Sequence, residues 1–204
     1  MAMKANHERK TSTKRLKPEV WLCDCVGIGH ADAHAWTNLT KGYITLVSVE
    51  DADLLAAHCW STVFNSSGMP YARRTAGGKH ERLHRVITGA VGDAQVDHVN
   101  HGTLDNRRLN LRPAIHSQNG ANRPPMKRRS PHIPEGISMP KGVHFLPSRK
   151  NRKKPFRVQV ASRHVGNFAT AEEAARAYDA RARELWGEFA FQNYPDEPVP
   201  AAAE

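Results

Sequence analysis

Val96-Asp97-His98-Val99-Asn100-His101-Gly102 decides how this chain is read, with Leu104-Asp105-Asn106-Arg107-Arg108-Leu109-Asn110-Leu111-Arg112 and His116-Ser117-Gln118-Asn119 following it. An acid stands beside a histidine, and amide side chains come later in the same stretch. Metal-assisted hydrolysis of a phosphodiester needs these parts. A hard oxygen ligand holds a divalent cation, an imidazole takes a proton from water, and a side-chain amide fixes the imidazole or completes the metal shell.

The three blocks, in this order, resemble the H-N-H endonuclease family, and within it the homing-type branch. There Asp-His ends one strand, Asn-Leu-Arg opens a second, and Gln-Asn sits on a short helix, together a ββα-metal unit. The resemblance makes Asp97 a ligand of a divalent metal, Mg²⁺ first and Mn²⁺ second, and His98 the general base. It makes Asn110 the central asparagine, whose amide bonds the backbone of the Asp-His loop and so holds His98. Asn106 is the rival for that place, because Asp105-Asn106 also has turn chemistry. Asn119 takes the third position, with its carbonyl oxygen toward the metal, where the founding pattern ends in histidine. His116, one helical turn earlier, is the alternative there. His84, in Leu83-His84-Arg85, resembles a recurring residue of the preceding helix and is read as packing or touching phosphate. His101 is read as a turn residue.

Composition agrees with a polyanion partner. The 204 residues carry thirty Lys and Arg against twenty acids, a formal charge of +10, which points to nucleic acid, double-stranded DNA above all. Mean hydropathy is −0.62, and no apolar run approaches the roughly 20 residues of a membrane span. The basic N-terminus has no signal-peptide core, and three cysteines make no disulfide framework. A reducing cytoplasm, of a bacterium or a phage-infected host, is the expected compartment, and no obligatory protein partner is evident. Cys23, Cys25, His30 and His34 raise a zinc reading, although Cys-x-Cys is tighter than the usual zinc pair.

Along the chain, 1–36 reads as a basic, disordered N-terminal extension. The H-N-H module is placed at 37–122. Within it, strands are expected near 41–47 and 69–74, a short helix over 49–60 with Leu54, Leu55 and Cys59 on its apolar side, and a helix over 82–88. A proline-rich linker follows at 123–140, whose Lys127, Arg128 and Arg129 are read as tracking phosphates, and 196–204 is a tail. Between them, 141–195 reads as three short strands and a helix over 171–186. Thr170 and Glu173 form a capping box, Gly187 stands just past the end, and Ala174, Ala175, Tyr178, Ala182 and Leu185 make the apolar stripe.

That last module resembles the plant ethylene-response-factor (apetala-type) DNA-binding domain. The likeness is carried by Lys141-Gly142-Val143, Phe156-Arg157-Val158-Gln159-Val160, Val165-Gly166-Asn167-Phe168, the helix from Thr170 to Asp179, and Asn193-Tyr194-Pro195. It implies a three-stranded antiparallel sheet laid in the major groove of duplex DNA. Alternation sends Val143, Phe145, Phe156, Val158 and Val160 to the helix, and His144, Leu146, Arg157, Gln159, Ala161 and His164 outward. Lys141, His144, Arg149, Arg152, Lys154, Arg157, Gln159, Arg163 and His164 are the candidate DNA contacts. Leu146, Ala161 and His164 replace residues of the plant proteins, so their sequence preference does not carry over. The expected fold class is therefore α+β, an H-N-H ββα-metal module plus a three-stranded sheet packed on one helix. The function expected is a metal-dependent DNA endonuclease of a phage or mobile element. A DNA-binding transcriptional regulator with an inactive nuclease module is the alternative, against which the complete Asp97, His98, Asn110 and Asn119 set argues.

Overall fold

Strand-forming residues alternate in and out along Ile44-Thr45-Leu46-Val47-Ser48, where Thr45 and Val47 are fully buried. The sheet of the first part of the chain grows around that strand. The computed structural model describes residues 18–23, 33–125, 139–146 and 153–196, and the chain divides into two units, 1–115 and 116–204.

In the first unit, β1 (Val20–Cys23), β2 (His34–Asn38) and β3 (Ile44–Ser48) run antiparallel to their neighbours. A 3-10 turn, Val49–Asp51, leads into α1 (Ala52–Ala57). Then come β4 (Ser61–Phe64), β5 (Pro70–Ala76) and β6 (Lys79–Arg82), an antiparallel sheet, followed by α2 (Leu83–Thr88). Next are β7 (Gln95–His98), β8 (Asp105–Asn106), the 3-10 turn Arg108–Asn110, and β9 (Leu111–Ala114). Strand β8 adds in parallel to β3, giving the order β1-β2-β3-β8, while β7 pairs with β9. One core joins these pieces: Ala35, Val47, Leu55, Trp60, Ala72, Leu83, Ile87 and Leu111 are all buried in it.

Local chemistry explains several ends. Helix α2 stops at Gly89, which takes a left-handed φ of 67° that a side chain would resist, and its N–H closes on Arg85 and Val86 carbonyls. Asp51 precedes α1 without capping it, because its carboxylate is held by Arg108 at 2.9 and 2.8 Å. Cys59, expected on the apolar side of that helix, lies beyond it and is exposed. The stretch read as an extension contributes β1 and most of β2, tied by a Trp21–Trp36 stack with ring centroids 4.3 Å apart. Residues 1–17 lie outside the described residues, as do Cys25 and His30.

The second unit holds α3 (His116–Asn122), β10 (Val143–Phe145), β11 (Phe156–Val160), β12 (Arg163–Phe168) and α4 (Ala171–Trp186). The three strands form one antiparallel sheet in chain order. Ala161 and Ser162 turn the β11–β12 hairpin with φ of 49° and 63°. Helix α4 starts at the Thr170–Glu173 capping box and packs Ala174, Ala175, Tyr178 and Ala182 against Val143, Val158 and Val160. Small side chains let the helix come close: a Cβ at Gly142 would sit 2.0 Å from the Tyr178 ring. Leu185, read as part of the buried stripe, is 42% exposed. Buried Asp179 accepts from the Asn193 and Tyr194 backbone N–H groups at 2.8 and 2.9 Å, fastening the segment after α4. The sequence carries the first module to 122, whereas α3 belongs with this second unit: Ala121 O accepts from Phe191 N at 3.1 Å and from the Lys141 ammonium. Among the described residues no helix is long and apolar enough to cross a membrane.

Candidate active site

Strand β7 ends at Asp97 and His98, both about 95% buried. Their register against β9 places Asp97 opposite Arg112 and His98 opposite Leu111. Arg112 donates to Asp97 Oδ2 from both Nε (3.0 Å) and Nη2 (2.9 Å). This cross-strand pair holds the carboxylate beside His98.

Asn106 reaches His98 directly, with Oδ1 3.3 Å from Nε2. Strand β8 puts it there, and its amide is oriented from the far side: Nδ2 donates to Thr45 Oγ1 at 2.8 Å. With Oδ1 facing the ring, His98 Nε2 carries the proton and Nδ1 the lone pair. Burial pushes the His98 pKa below 6.5, against the opposing pull of the Asn106 bond and the Asp97 and Asp105 charges. The imidazole is neutral near pH 7.

Asn110 fastens the loop between β7 and β8. Its Oδ1 accepts from Asn100 N at 2.8 Å and its Nδ2 donates to Asp105 O at 2.7 Å. Val99 N also donates to Asn110 O. Asp105 braces the same loop, with both oxygens on Arg107 and one also on Asn100. Burial raises its pKa, but those bonds and the Arg107 charge outweigh it and leave the group below the usual carboxylate range. His101 turns the loop with φ of 64°.

His84, on α2, stacks edge-on to His98 with centroids 5.1 Å apart, and Tyr71 contacts both rings at 5.5 and 6.3 Å. Burial, then the His98 and arginine charges, lower the His84 pKa to about 3. It is a neutral wall of the site.

Comparison with known proteins bears on what this arrangement belongs to. No protein-family model and no solved structure matches the chain. A protein of Acanthamoeba polyphaga mimivirus, named an uncharacterized HNH endonuclease, is 31% identical over 162 residues, which is 76% of this chain and 78% of the relative. The chain belongs to the HNH endonuclease family. It is thus a nuclease of mixed α and β structure.

Asp97, His98, Asn106 and Asn110 of this HNH nuclease come together in the first unit, with Asn106 on the imidazole and Asn110 on the loop. Asn119 and its alternative His116 stand on α3 in the second unit. In the first unit Asp97 offers a carboxylate, the kind of oxygen donor a hard divalent ion such as Mg²⁺ takes when phosphate and water complete its shell. Among the described residues no three His, Cys, Asp or Glu converge as an all-protein metal centre, which such a one-carboxylate site does not need. For the zinc reading, Cys23 is disulfide-bonded, so one sulfur is not a thiolate, and His34 is buried in β2.

Of the candidate DNA contacts, His144, Lys154, Arg163 and His164 are exposed, and Arg157 and Gln159 half-buried. Arg157 Nε is shut from solvent without a partner. Lys141 is turned inward: its ammonium donates to Ala121 O and lies 5.3 Å from the Phe191 ring centre. Burial, then the Arg123 charge, lower its pKa to about 8. Lys127, Arg128, Arg129, Arg149 and Arg152 lie outside the described residues. The sequence reading missed the Arg112 partner of Asp97 and the wall made by Tyr71, while His84, read as packing or touching phosphate, packs against His98. The hairpin register was the signal for Arg112, since pairing His98 with Leu111 puts the next residue opposite Asp97.

Proposed function

We propose that this chain is a metal-dependent DNA endonuclease of the homing type, with His98 as general base and the β10–β12 and α4 unit gripping duplex DNA. The observation that carries the reading is a buried, neutral imidazole beside a buried carboxylate, its Nε2–H directed at Asn106. His98 Nδ1 then accepts the proton from the attacking water, and Asn106 Oδ1 stabilises the imidazolium that forms. Asn110 keeps the loop, and so the imidazole, in place. Asp97 would hold the ion, Mg²⁺ or Mn²⁺. When bound, the ion would supply positive charge to the phosphate that is attacked. Arg112 orients the Asp97 carboxylate.

In the second unit the sheet face away from α4 carries His144, Arg157, Gln159 and His164, with Lys154 and Arg163 near it. Arginine and glutamine forks read base edges and phosphates, and β-sheets dock in the major groove in known complexes. Lys141 serves the fold instead of the DNA.

Supercoiled plasmid incubated with the chain and Mg²⁺ tests the reading. Nicked or linear product is expected, stopped by EDTA, restored by Mg²⁺ or Mn²⁺, and restored poorly in Asp97→Asn. Equal cutting in excess chelator would overturn the metal mechanism, and no cutting with any divalent ion would overturn the enzyme.

A further inference from the structure

The β4–β5–β6 sheet carries two arginines that the roles above leave unused. Arg73 on β5 and Arg82 on β6 are directly opposite in register, so their side chains leave the same face side by side. The other face is the packed one, with Thr62 and Ala72 buried. There Arg74 is neutralised by its own cross-strand partner, its Nε 2.7 Å from Glu81 Oε2.

Arg73 and Arg82 have no such neighbour. Among the described residues neither has an acidic partner. Arg73 Nε is also shut from solvent without an acceptor. Like charges directly opposite on two strands repel, and a buried donor left unpaired is unfavourable. One anion between the two guanidiniums relieves the repulsion, and the planar arginine fork suits phosphate oxygens.

The pair also stands where a substrate would pass. The Arg82 guanidinium lies 4.6 Å from the centre of the Tyr71 ring, and that ring is 6.3 Å from His98. One aromatic side chain therefore separates the arginine from the proposed base. A DNA strand carries a phosphate about every 3.4 Å of helix axis, so a strand cut at His98 has neighbouring phosphates within reach of this face.

We infer that Arg73 and Arg82 form a phosphate clamp through which the first unit holds the DNA backbone next to the cut. The clamp rests on the DNA endonuclease reading above and adds a substrate contact outside the second unit.

The test uses the full chain and a duplex oligonucleotide, with affinity measured by fluorescence anisotropy over a range of KCl. Arg73→Gln and Arg82→Gln should each lower the slope of log affinity against log salt by about 0.9, and both together by about twice that. Affinity at low salt should fall roughly tenfold for each. Arg82→Lys keeps the charge and should keep most of the slope. Arg74→Gln, on the other face of the same sheet, should leave the slope at the wild-type value. Should Arg73→Gln fail to fold, exposed Arg82→Gln carries the test alone. Folded Gln variants with the wild-type slope would overturn the clamp, as would an equal loss in Arg74→Gln. Plasmid cutting separates the two readings. A wild type that cuts while the Gln variants keep their slope sinks the clamp alone, and a wild type that never cuts sinks the endonuclease reading.

Discussion

Asn110→Ala should destabilise the first unit by about 2–4 kcal/mol. The side chain is 7% exposed and makes two bonds, to Asn100 N and Asp105 O. The Asp105 carbonyl bond is buried, so truncation leaves that acceptor unpaired, at about 1–3 kcal/mol. The Asn100 N–H is only partly buried and can recover water, so its loss adds roughly 0.5–1.5 kcal/mol. With a urea m-value of about 1–3 kcal/mol/M, the unfolding midpoint should drop by on the order of 1–2 M. Tryptophan fluorescence reports it, because Trp21, Trp36 and Trp60 lie in this unit and only Trp186 in the other. Asn110→Asp keeps the acceptor for Asn100 but sets an anionic oxygen against Asp105 O, so it should be no milder than alanine. A midpoint within experimental error of wild type in Asn110→Ala would refute the view that this amide holds the loop.

Cleavage should be flat around pH 7 and fall only below 6.5, because burial lowers the His98 pKa and the neutral ring is the proposed base. Asn106→Ala removes a bond that raises that pKa, so its acid limb should move lower while its plateau drops; an acid limb above 6.5 in the wild type would contradict this. His84 is neutral in the fold, with its pKa lowered to about 3, whereas the unfolded chain takes up a proton below 6.5. Its contribution to stability is therefore present above 6.5 and is lost by about 1.4 kcal/mol per unit as pH falls toward 3. Urea midpoints at pH 7 and pH 5 should differ more in wild type than in His84→Gln, and an equal difference would remove His84 from the account. In the second unit, Arg157→Ala with Gln159→Ala should blunt sequence preference more than the salt slope of binding. Binding across a randomised duplex library reads the preference, and a slope change with unaltered preference would show that the pair touches only phosphate.

What the sequence made visible was chiefly local. The Thr170–Glu173 capping box and the spacing of Ala174, Ala175, Tyr178 and Ala182 locate α4 because both depend on residues within a few turns of each other. Adjacent Asp97 and His98 are legible for the same reason. The partners of that pair are not. Thr45 orients Asn106 from 61 residues away, and Arg112 meets Asp97 only through the β7–β9 register. Asn106 and Asn110 have the same chemistry and nearby positions, so only the fold separates the imidazole contact from the loop fastener. Strand β6, Lys79-His80-Glu81-Arg82, has no apolar residue to announce it and forms by pairing with β5 at the sheet edge. Strand β1 is short, and its Trp21 finds its neighbour across the sheet on β2.

On the proposed function, His98 performs the chemistry while the affinity for DNA lies elsewhere. Wild type and His98→Ala should be compared for plasmid cutting in Mg²⁺ and, in parallel, for affinity toward the same duplex. Cutting is expected in the wild type, with a loss in the variant of at least about a hundredfold, as for removal of a general base, and affinities that agree within a few-fold. A His98→Ala protein that cuts at the wild-type rate would contradict that function.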